Sequence, residues 1–474
     1  MPPPSISLGL SRITTLLTHL SSPHLRTPIV HISGTNGKGS VAAYLSSILT
    51  ASSLRVGRFT SPHLVHEWDG LHLGGQVVAE ADYRAAAAEV RRVDSEHGVE
   101  ATSFELLTAT AFEVFARARP PLDLAVVEVG MGGATDATNV VDAQRTLLSV
   151  VTSIELDHQK FLGATVGEIA GVKTGIAKEG GDVVLAKQEH AEVESVLGEV
   201  VKALGATAWI AGEATVVEAG SDDGGAPLVE IPTTALGTIP TCTLLDATPI
   251  TARLPLPGSY QLANAAAATL AATLLSTLPR TLSLVPLLSN ITASTIRTGI
   301  ESTRWPGRLD WLSLPATPAR APVRILLDGA HNPSSATSLA LYLDSLPPHL
   351  RPTTLILALS APRPPSAILT PLLAPGSSIK SIIAVAFTEP PSMAWIKPVD
   401  PTEIVRAVEE MGTGVDVRQC AGGVREALES VRERERVMVA GSLYLVADVY
   451  RILEEADALG SVLVVLGGTS GAGR

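Results

Sequence analysis

"IVHISGTNGKGSVAAYLSSIL", residues 29–49, sets an apolar run, three glycines within six positions and a helical pattern in immediate succession. A strand ending at Gly34 and a helix starting near Ser40 would aim several backbone N–H groups and the positive helix end at one point, which suits phosphate. Lys38 adds a point charge for β- and γ-phosphates, and the Ser40 hydroxyl can face Mg²⁺. The spacing is not that of the common P-loop. Ile32, not Gly, stands five positions before Gly37, and Gly39 separates Lys38 from Ser40. A glycine-rich turn without a ligand is the alternative, and it leaves the Gly-Lys-Gly-Ser run between strand and helix unexplained.

Outward from this stretch, short Val/Ile/Leu runs alternate with helical patterns, which predicts a parallel α/β architecture. Strands are expected at 28–33, 122–129, 146–154 and 182–186, and helices at 40–52, 80–97, 105–117 and 166–177. The region 207–251 loses this rhythm and reads as Gly/Thr/Pro-rich loops with a few short strands. After "STRWPGRLD" and the Pro-rich "LSLPATPARAPV" a second series opens, with strands at 323–327, 353–359, 381–387 and 436–440. Two domains follow, 1–300 and 301–474, as a chain of 474 residues would favour.

Hydrophobic residues make up 46% and charged residues 17% of the chain, which excludes a disordered protein. The net charge of −12 without a basic stripe argues against a nucleic-acid partner, while leaving room for anionic small substrates in a locally basic cleft. Cys242 and Cys420 stand far apart, so neither a disulfide scaffold nor a structural zinc is expected. No apolar run reaches bilayer length. "LGLSRITTLLTHL" has helical spacing and leads into the first strand, so a cytoplasmic protein is expected, with mitochondrial import as the alternative. The final "GGTSGAGR" lacks a following helix and reads as a tail.

Three further stretches carry chemistry. In "AVVEVGMGGATDATN" (125–139) an apolar strand sets Glu128 at its carboxyl end, where open α/β sheets bind their substrates, as a hard oxygen ligand for a metal. Asp136 suits either that site or ordinary turn duty, and Asn139 reads as a turn or helix-cap residue. "TSIELDHQKFLG" ends another strand with Asp157 and His158, the latter a metal-ligand candidate whose alternative is a satisfied structural histidine. In the second half, Arg308 of "WPGRLD" lies at the interdomain junction, where a guanidinium can reach phosphate, and "ILLDGAHNP" gathers Asp328, His331 and Asn332 at a strand end.

In order, "GTNGKGS" (34–40), "TSPHL" (60–64), "EVGMGGATDATN" (128–139), "DHQKFLG" (157–163), "NAAAA" (264–268), "WPGR" (305–308), "DGAHNP" (328–333) and "GSLYLVADVYR" (441–451) resemble the motifs of the dihydrofolate synthase and folylpolyglutamate synthase family. That family belongs to the Mur-ligase-like ATP-dependent amide ligases, and the resemblance spans residues 7 to about 455. It implies an α/β, Mur-ligase-like P-loop ATPase domain with a central, mostly parallel sheet, followed by a C-terminal Rossmann-like α/β domain. It also implies an activity: ATP phosphorylates a pteroate-type carboxylate, and the amine of L-glutamate displaces phosphate to form an amide.

Residue by residue, the resemblance assigns Gly34, Thr35, Asn36, Gly37, Lys38, Gly39 and Ser40 to the triphosphate cradle, with Asn264, Arg308 and Asp328 as further ATP contacts. Ser61, Glu128 and His158 match Mg²⁺ ligands. Lys173 matches a lysine carried as a carbamate, which would make it a further, anionic metal ligand, and a monovalent cation is a further expected cofactor. His331 matches a residue near the γ-phosphate, so Lys38, Lys173 and His331 form the expected catalytic set. Thr135, Asp136 and Ala137 match a pterin-contacting segment. Ala134-Thr135 replaces the usual Arg-Leu, Val172 a common Glu and Tyr260 a frequent His. The Asp-Lys-Asp stretch expected after a second-domain strand is absent from "LALSAPRPPSAIL". Asn36 and the stretches "PHLVHEWDGLHL" and "SMAWIKPVDP" look like stand-alone fungal members, which favours dihydropteroate, L-glutamate and ATP as substrates of a monomer. Glutamate addition to tetrahydrofolate is the alternative, and a non-catalytic ATP-binding homologue a third.

Overall fold

The computed structural model describes residues 9–220, 226–236, 248–314, 323–390, 393, 396–431 and 435–458. Cys242, the tail "GGTSGAGR" and parts of "LSLPATPARAPV" and "SMAWIKPVDP" lie outside them. The chain divides into two compact units, Met1–Arg304 and Trp305–Arg474. Among the described residues no helix is long and apolar enough to cross a membrane.

The strands of the first unit are β1 (Ile29–Ser33), β2 (Val56–Phe59), β3 (Leu71–Leu73), β4 (Gln76–Val77), β5 (Leu124–Glu128), β6 (Thr146–Val151), β7 (Asp182–Leu185), β8 (Thr207–Ala211), β9 (Thr215–Glu218), β10 (Leu228–Ile231), β11 (Ala235–Leu236) and β12 (Ile250–Arg253). The main sheet runs β11-β8-β7-β6-β1-β5-β2-β3-β4, and β12-β10-β9 make a separate small sheet. The central strands β8, β7, β6, β1, β5 and β2 pair in parallel, while β3, β4 and β11 add antiparallel edges. All of β1, β5 and β6 is buried, which explains their largely apolar, non-alternating character: a parallel strand covered on both faces has no solvent side, and the polar residues they carry, such as His31 and Ser33, are buried too. In the region 207–251, where the pattern faded, β8 to β12 are short and several of their residues are exposed, so alternation is weak there.

The helix Lys38–Ala51 follows β1 directly and buries nine of its residues, among them Val41, Leu45, Ile48 and Leu49. It begins two residues earlier than the sequence suggests, because Gly37, with φ of 92°, takes the capping position and lets the chain turn at once. The helix Ala293–Ser302 lies against it so closely that a Cβ on Gly299 would stand 2.3 Å from the Ile48 Cα. Ser47 Oγ donates to the Gly299 carbonyl at 2.7 Å, and Ser52 Oγ to Thr295 Oγ1 at 2.8 Å. The N-terminal helix Ser11–His19 buries Ile13, Leu16 and Leu17 in the same core as Phe59, Phe112 and Val127.

The second unit carries β13 (Asp310–Leu314), β14 (Val323–Leu327), β15 (Thr354–Leu357), β16 (Ser381–Ala384), β17 (Asp416–Gln419) and β18 (Val437–Ala440) in the order β13-β14-β18-β15-β16-β17. Only β13 is antiparallel, and it begins two residues after Arg308.

Replacing Gly299 by Ala forces the two helices apart against a full core. Chemical denaturation should therefore report a loss of about 1–3 kcal/mol. An unchanged midpoint would show that the contact yields freely.

Candidate functional site

Sheet register sets the site. Ile32 stands opposite Glu128, Ser33 opposite Val151 and Phe59 opposite Val127, so β1, β5, β6 and β2 all release their chains at one edge. Residues 34–40, 60–64, 129–139 and 152–158 therefore leave the sheet side by side. This is the carboxyl end of a parallel sheet, where ligand sites of such folds form.

In the phosphate loop, close approach requires two glycines. A Cβ on Gly34 would lie 1.9 Å from Thr152 Oγ1, and one on Gly37 2.3 Å from Asn264 Oδ1. Asn264 thus abuts the loop, and Gln261, three residues before it on the helix Tyr260–Leu275, donates to Ser40 Oγ at 3.2 Å and accepts from Asn264 Nδ2 at 3.0 Å. Gln261 is fully buried and was invisible to motif reading; its only sequence signal is the i, i+3 spacing to Asn264 at a helix start. The Thr35 and Asn36 amides both bond the Ser153 carbonyl, at 2.8 and 3.2 Å. Donors for an anion therefore come from the first turn of the helix Lys38–Ala51, whose N–H groups have no partner within a helix. Lys38 Nζ folds over the loop and donates to the Gly34 and Thr35 carbonyls at 3.2 and 3.1 Å.

Glu128 is the last residue of β5 and is 5% exposed. Its Oε2 accepts the Ser61 amide at 3.2 Å, which brings two of the expected metal ligands together. The buried Arg58 guanidinium donates to Ser46 Oγ at 3.3 Å and to His72 Nε2 at 2.8 Å, and lies within the field of Glu128. His72 must then accept through Nε2, and burial with the neighbouring cation pushes its pKa down to about 3. His158 follows Asp157 in the loop after β6, with left-handed φ of 52° and 41% side-chain exposure, its Nε2 3.7 Å from Asp157 Oδ2. Among the described residues no three His, Cys, Asp or Glu side chains cluster as a metal cage.

The loop after β5 hangs from β1. Ser33 Oγ donates to the Gly132 carbonyl at 3.1 Å, and His31 Nε2 donates to Thr138 Oγ1 at 2.8 Å. The Thr138 hydroxyl passes its own proton to Asp136 Oδ1 at 2.5 Å, while Asp136 also accepts the Met131 and Thr138 amides at 2.8 and 3.0 Å. This chain requires the Nε2–H tautomer of His31, which burial, with the charge of Lys178, drives to a pKa of about 3. Asp136, expected to touch pterin, is 2% exposed, and its carboxylate is engaged within its own loop; burial raises its carboxyl pKa against these hydrogen bonds. Ala137 is buried, and Thr135 is the exposed member of the segment.

Lys173 lies in the last turn of the helix Val166–Thr174, which opens on a capping box between Thr165 and Glu168. Its side chain is 3% exposed, and Nζ donates to the Gly34 carbonyl at 2.7 Å. Burial, then repulsion from Lys38, lowers its pKa to about 7, with Asp157 and Asp136 opposing. The sequence reading of Lys173 rested on resemblance alone; the tertiary structure adds its burial and its lowered pKa.

In the second unit Asp328 follows β14, is 6% exposed, and accepts the Leu309 and Ala330 amides at 2.8 Å each. Burial raises its pKa while Arg308 lowers it, and Arg308 Nη1 passes 2.3 Å from where a Gly329 Cβ would be. His331 Nδ1 donates to the Gly329 carbonyl at 2.8 Å, and Asn332 caps the helix Pro333–Ser345 through the Ser335 amide. Arg308, Asp328 and His331 thus gather at one strand end of this unit.

Residues 311–452 match the family described as "Dihydrofolate synthetase, C-terminal domain". The chain is 35% identical over 454 residues to "Dihydrofolate synthetase" of Saccharomyces cerevisiae, covering 94% of this chain and 98% of that protein. It is 32% identical over 451 residues to "Probable dihydrofolate synthetase" of Schizosaccharomyces pombe, covering 95% and 99%. Among solved structures, Mycobacterium tuberculosis folylpolyglutamate synthase complexed with ADP matches with a TM-score of 0.73 at 27% identity, covering 93% of this chain and 94% of that one.

The lowered Lys173 pKa has a thermodynamic signature. Between about pH 7 and 10.5 the unfolded chain holds a proton on this amine that the folded chain has released. Its contribution to stability therefore rises with pH across that window and is most unfavourable below pH 7. Denaturation midpoints measured from pH 6.5 to 9.5 should climb less steeply in Lys173→Met than in the wild type; equal slopes would contradict the burial of a neutral amine.

Proposed function

The chain belongs to the dihydrofolate synthetase and folylpolyglutamate synthase family, and on that premise we propose that it joins L-glutamate to 7,8-dihydropteroate with conversion of ATP to ADP and phosphate. It is an ATP-dependent ligase. Carboxylate is a poor acyl donor at neutral pH because its leaving group would be oxide. Phosphorylation of the pteroate carboxylate by ATP gives an acyl phosphate, the glutamate amine attacks its carbonyl carbon, and phosphate leaves as the amide forms. The observation that carries this reading is the meeting of a phosphate loop, the Glu128 carboxylate and the buried Lys173 amine at one sheet edge, in a chain alike over nearly its full length to dihydrofolate synthetases.

Within that reaction, the first turn after Gly37 and the Lys38 ammonium bind the triphosphate, once Lys38 leaves the Gly34 and Thr35 carbonyls for phosphate oxygens. The donor set at Glu128 and Ser61 fits Mg²⁺: one buried carboxylate beside a serine, with no cage of His, Cys, Asp or Glu side chains around it among the described residues, leaves positions for phosphate oxygens and water, as this ion prefers. Mg²⁺ held there would neutralise charge on the phosphoryl group in transit. His158 is a further ligand in this reading. A Lys173 amine with pKa near 7 is substantially uncharged at neutral pH, so it can attack CO₂, lose a proton and become an anionic carbamate beside Lys38. The acceptor lies along residues 130–137, with Thr135 as the exposed contact.

Purified protein given ATP and L-glutamate should release ADP with dihydropteroate and yield a product of dihydrofolate mass. Turnover confined to tetrahydrofolate would transfer the reading to folylpolyglutamate synthesis, and ATP binding without any amide product would end the ligase reading. Glu128→Ala should lower kcat by about 10²–10³-fold, the usual effect of removing one group that stabilises transition-state charge. Activity should depend on added bicarbonate in CO₂-depleted buffer, and Lys173→Ala should lose both activity and that dependence.

A further inference from the structure

The helix Val166–Thr174 ends immediately after Lys173, so something outside it must hold the turn that aims this amine at Gly34. Asn139 does so from the other side of the acceptor loop. Its Nδ2 donates to two carbonyls, that of Ala134 at 3.0 Å and that of Gly175 at 3.1 Å, while its Oδ1 accepts from Lys178 Nζ at 2.8 Å. The Ala134 amide in turn donates to the Val172 carbonyl at 2.9 Å. Residues 133 and 175 meet their neighbours without side chains: a Cβ on Gly133 would lie 2.6 Å from the carbonyl oxygens of both Val172 and Lys173, and one on Gly175 2.5 Å from the Ala134 Cβ. The loop and the end of the lysine helix are thereby one packed body, with Asn139 as its cross-piece.

We propose that Asn139 and Lys178 are a positioning pair for Lys173, with the Lys178 ammonium holding the Asn139 amide in the single orientation that joins Ala134 to Gly175. The chemistry permits no other arrangement. An amide turned by 180° would set its NH₂ against an ammonium and its oxygen against two carbonyls, making every contact repulsive. All three polar atoms of the clamp are used, and neither residue touches a reacting group. Lys178 was only a lysine in "GIAKEG" by sequence, and Asn139 a turn or cap residue. The inference rests on the reading of Lys173 as a functional amine; the orientation of the clamp itself does not.

The test uses full-length Lys178→Met, Lys178→Arg, Asn139→Asp and Asn139→Ala proteins. Asn139→Asp is the informative one: it strengthens attraction to Lys178 yet presents carboxylate oxygens to the Ala134 and Gly175 carbonyls, so it should behave like the alanine variant. Lys178→Arg keeps a donor and should resemble wild type. Two readouts are made. Brief acetic anhydride labelling at one pH, with peptide mass analysis, compares Lys173 with the exposed Lys202; the Lys173 fraction should rise about fivefold or more in the Met, Asp and Ala variants as the amine leaves its buried seat. Steady-state kinetics with dihydropteroate should show kcat down by about tenfold or more with KM for ATP within about twofold, the mark of a misplaced reacting group. Unchanged Lys173 labelling in Asn139→Asp, or a Lys178→Arg protein as impaired as Lys178→Met, overturns the proposal. Labelling reports on the clamp without turnover, so a wild type inactive on dihydropteroate would count against the assigned function and leave the positioning result standing.

Discussion

The register of β1 between β5 and β6 governs this molecule. Ile32 opposite Glu128 and Ser33 opposite Val151 bring three chain segments out of the sheet at the same height. The same register puts His31 and Ser33 on one face of β1, from which both reach the loop after β5. A slip of one residue would turn both side chains to the other face. The phosphate loop, the loop after β5 and the Glu128 carboxylate would then lose their common frame, since each is tied to β1 directly or through its neighbour.

Around that frame the protein buries polar groups that water would normally hold. His31, Thr138 and Asp136 form one hydrogen-bonded chain, Arg58 rests between Ser46 and His72, and the Lys173 amine meets the Gly34 carbonyl. Burial disfavours every charge among these, so the histidines stay neutral and Lys173 sits near its midpoint at neutral pH. The arrangement is costly to stability where charges are not fully compensated, and functional sites are where proteins tolerate such costs. An amine able to exist uncharged at neutral pH is the chemical return.

The alternation of strands and helices was legible because parallel strands covered on both faces are mostly apolar, as the Val, Ile and Leu residues of 28–33, 146–154 and 323–327 show. The antiparallel β13 was not, and of the short strands between 207 and 253 only their presence and not their bounds was, since partly exposed strands of four or five residues leave little periodic signal. Glu128 announced itself as a lone acid ending an apolar run. Gln261, Arg58 and Lys178 did not, because a polar residue in a helix, strand or loop looks the same whether it meets solvent or a buried partner.

The linear sequence by itself determined the buried parallel strands and their helices, the phosphate loop and the family, because those depend on local turn geometry, side-chain periodicity and colinear motifs. What only the tertiary structure decided is what each polar residue is for. Asp136 turned out to serve its own loop, the Thr35 and Asn36 amides to serve Ser153, and Lys173 to be an amine of lowered pKa. The Thr35 and Asn36 amides and the Lys173 amine meet groups between 117 and 139 residues away in the chain, whereas the partners of Asp136 are close by. Desolvation and hydrogen-bond pairing are set by what surrounds a side chain in space, and the order of residues along the chain does not carry that information.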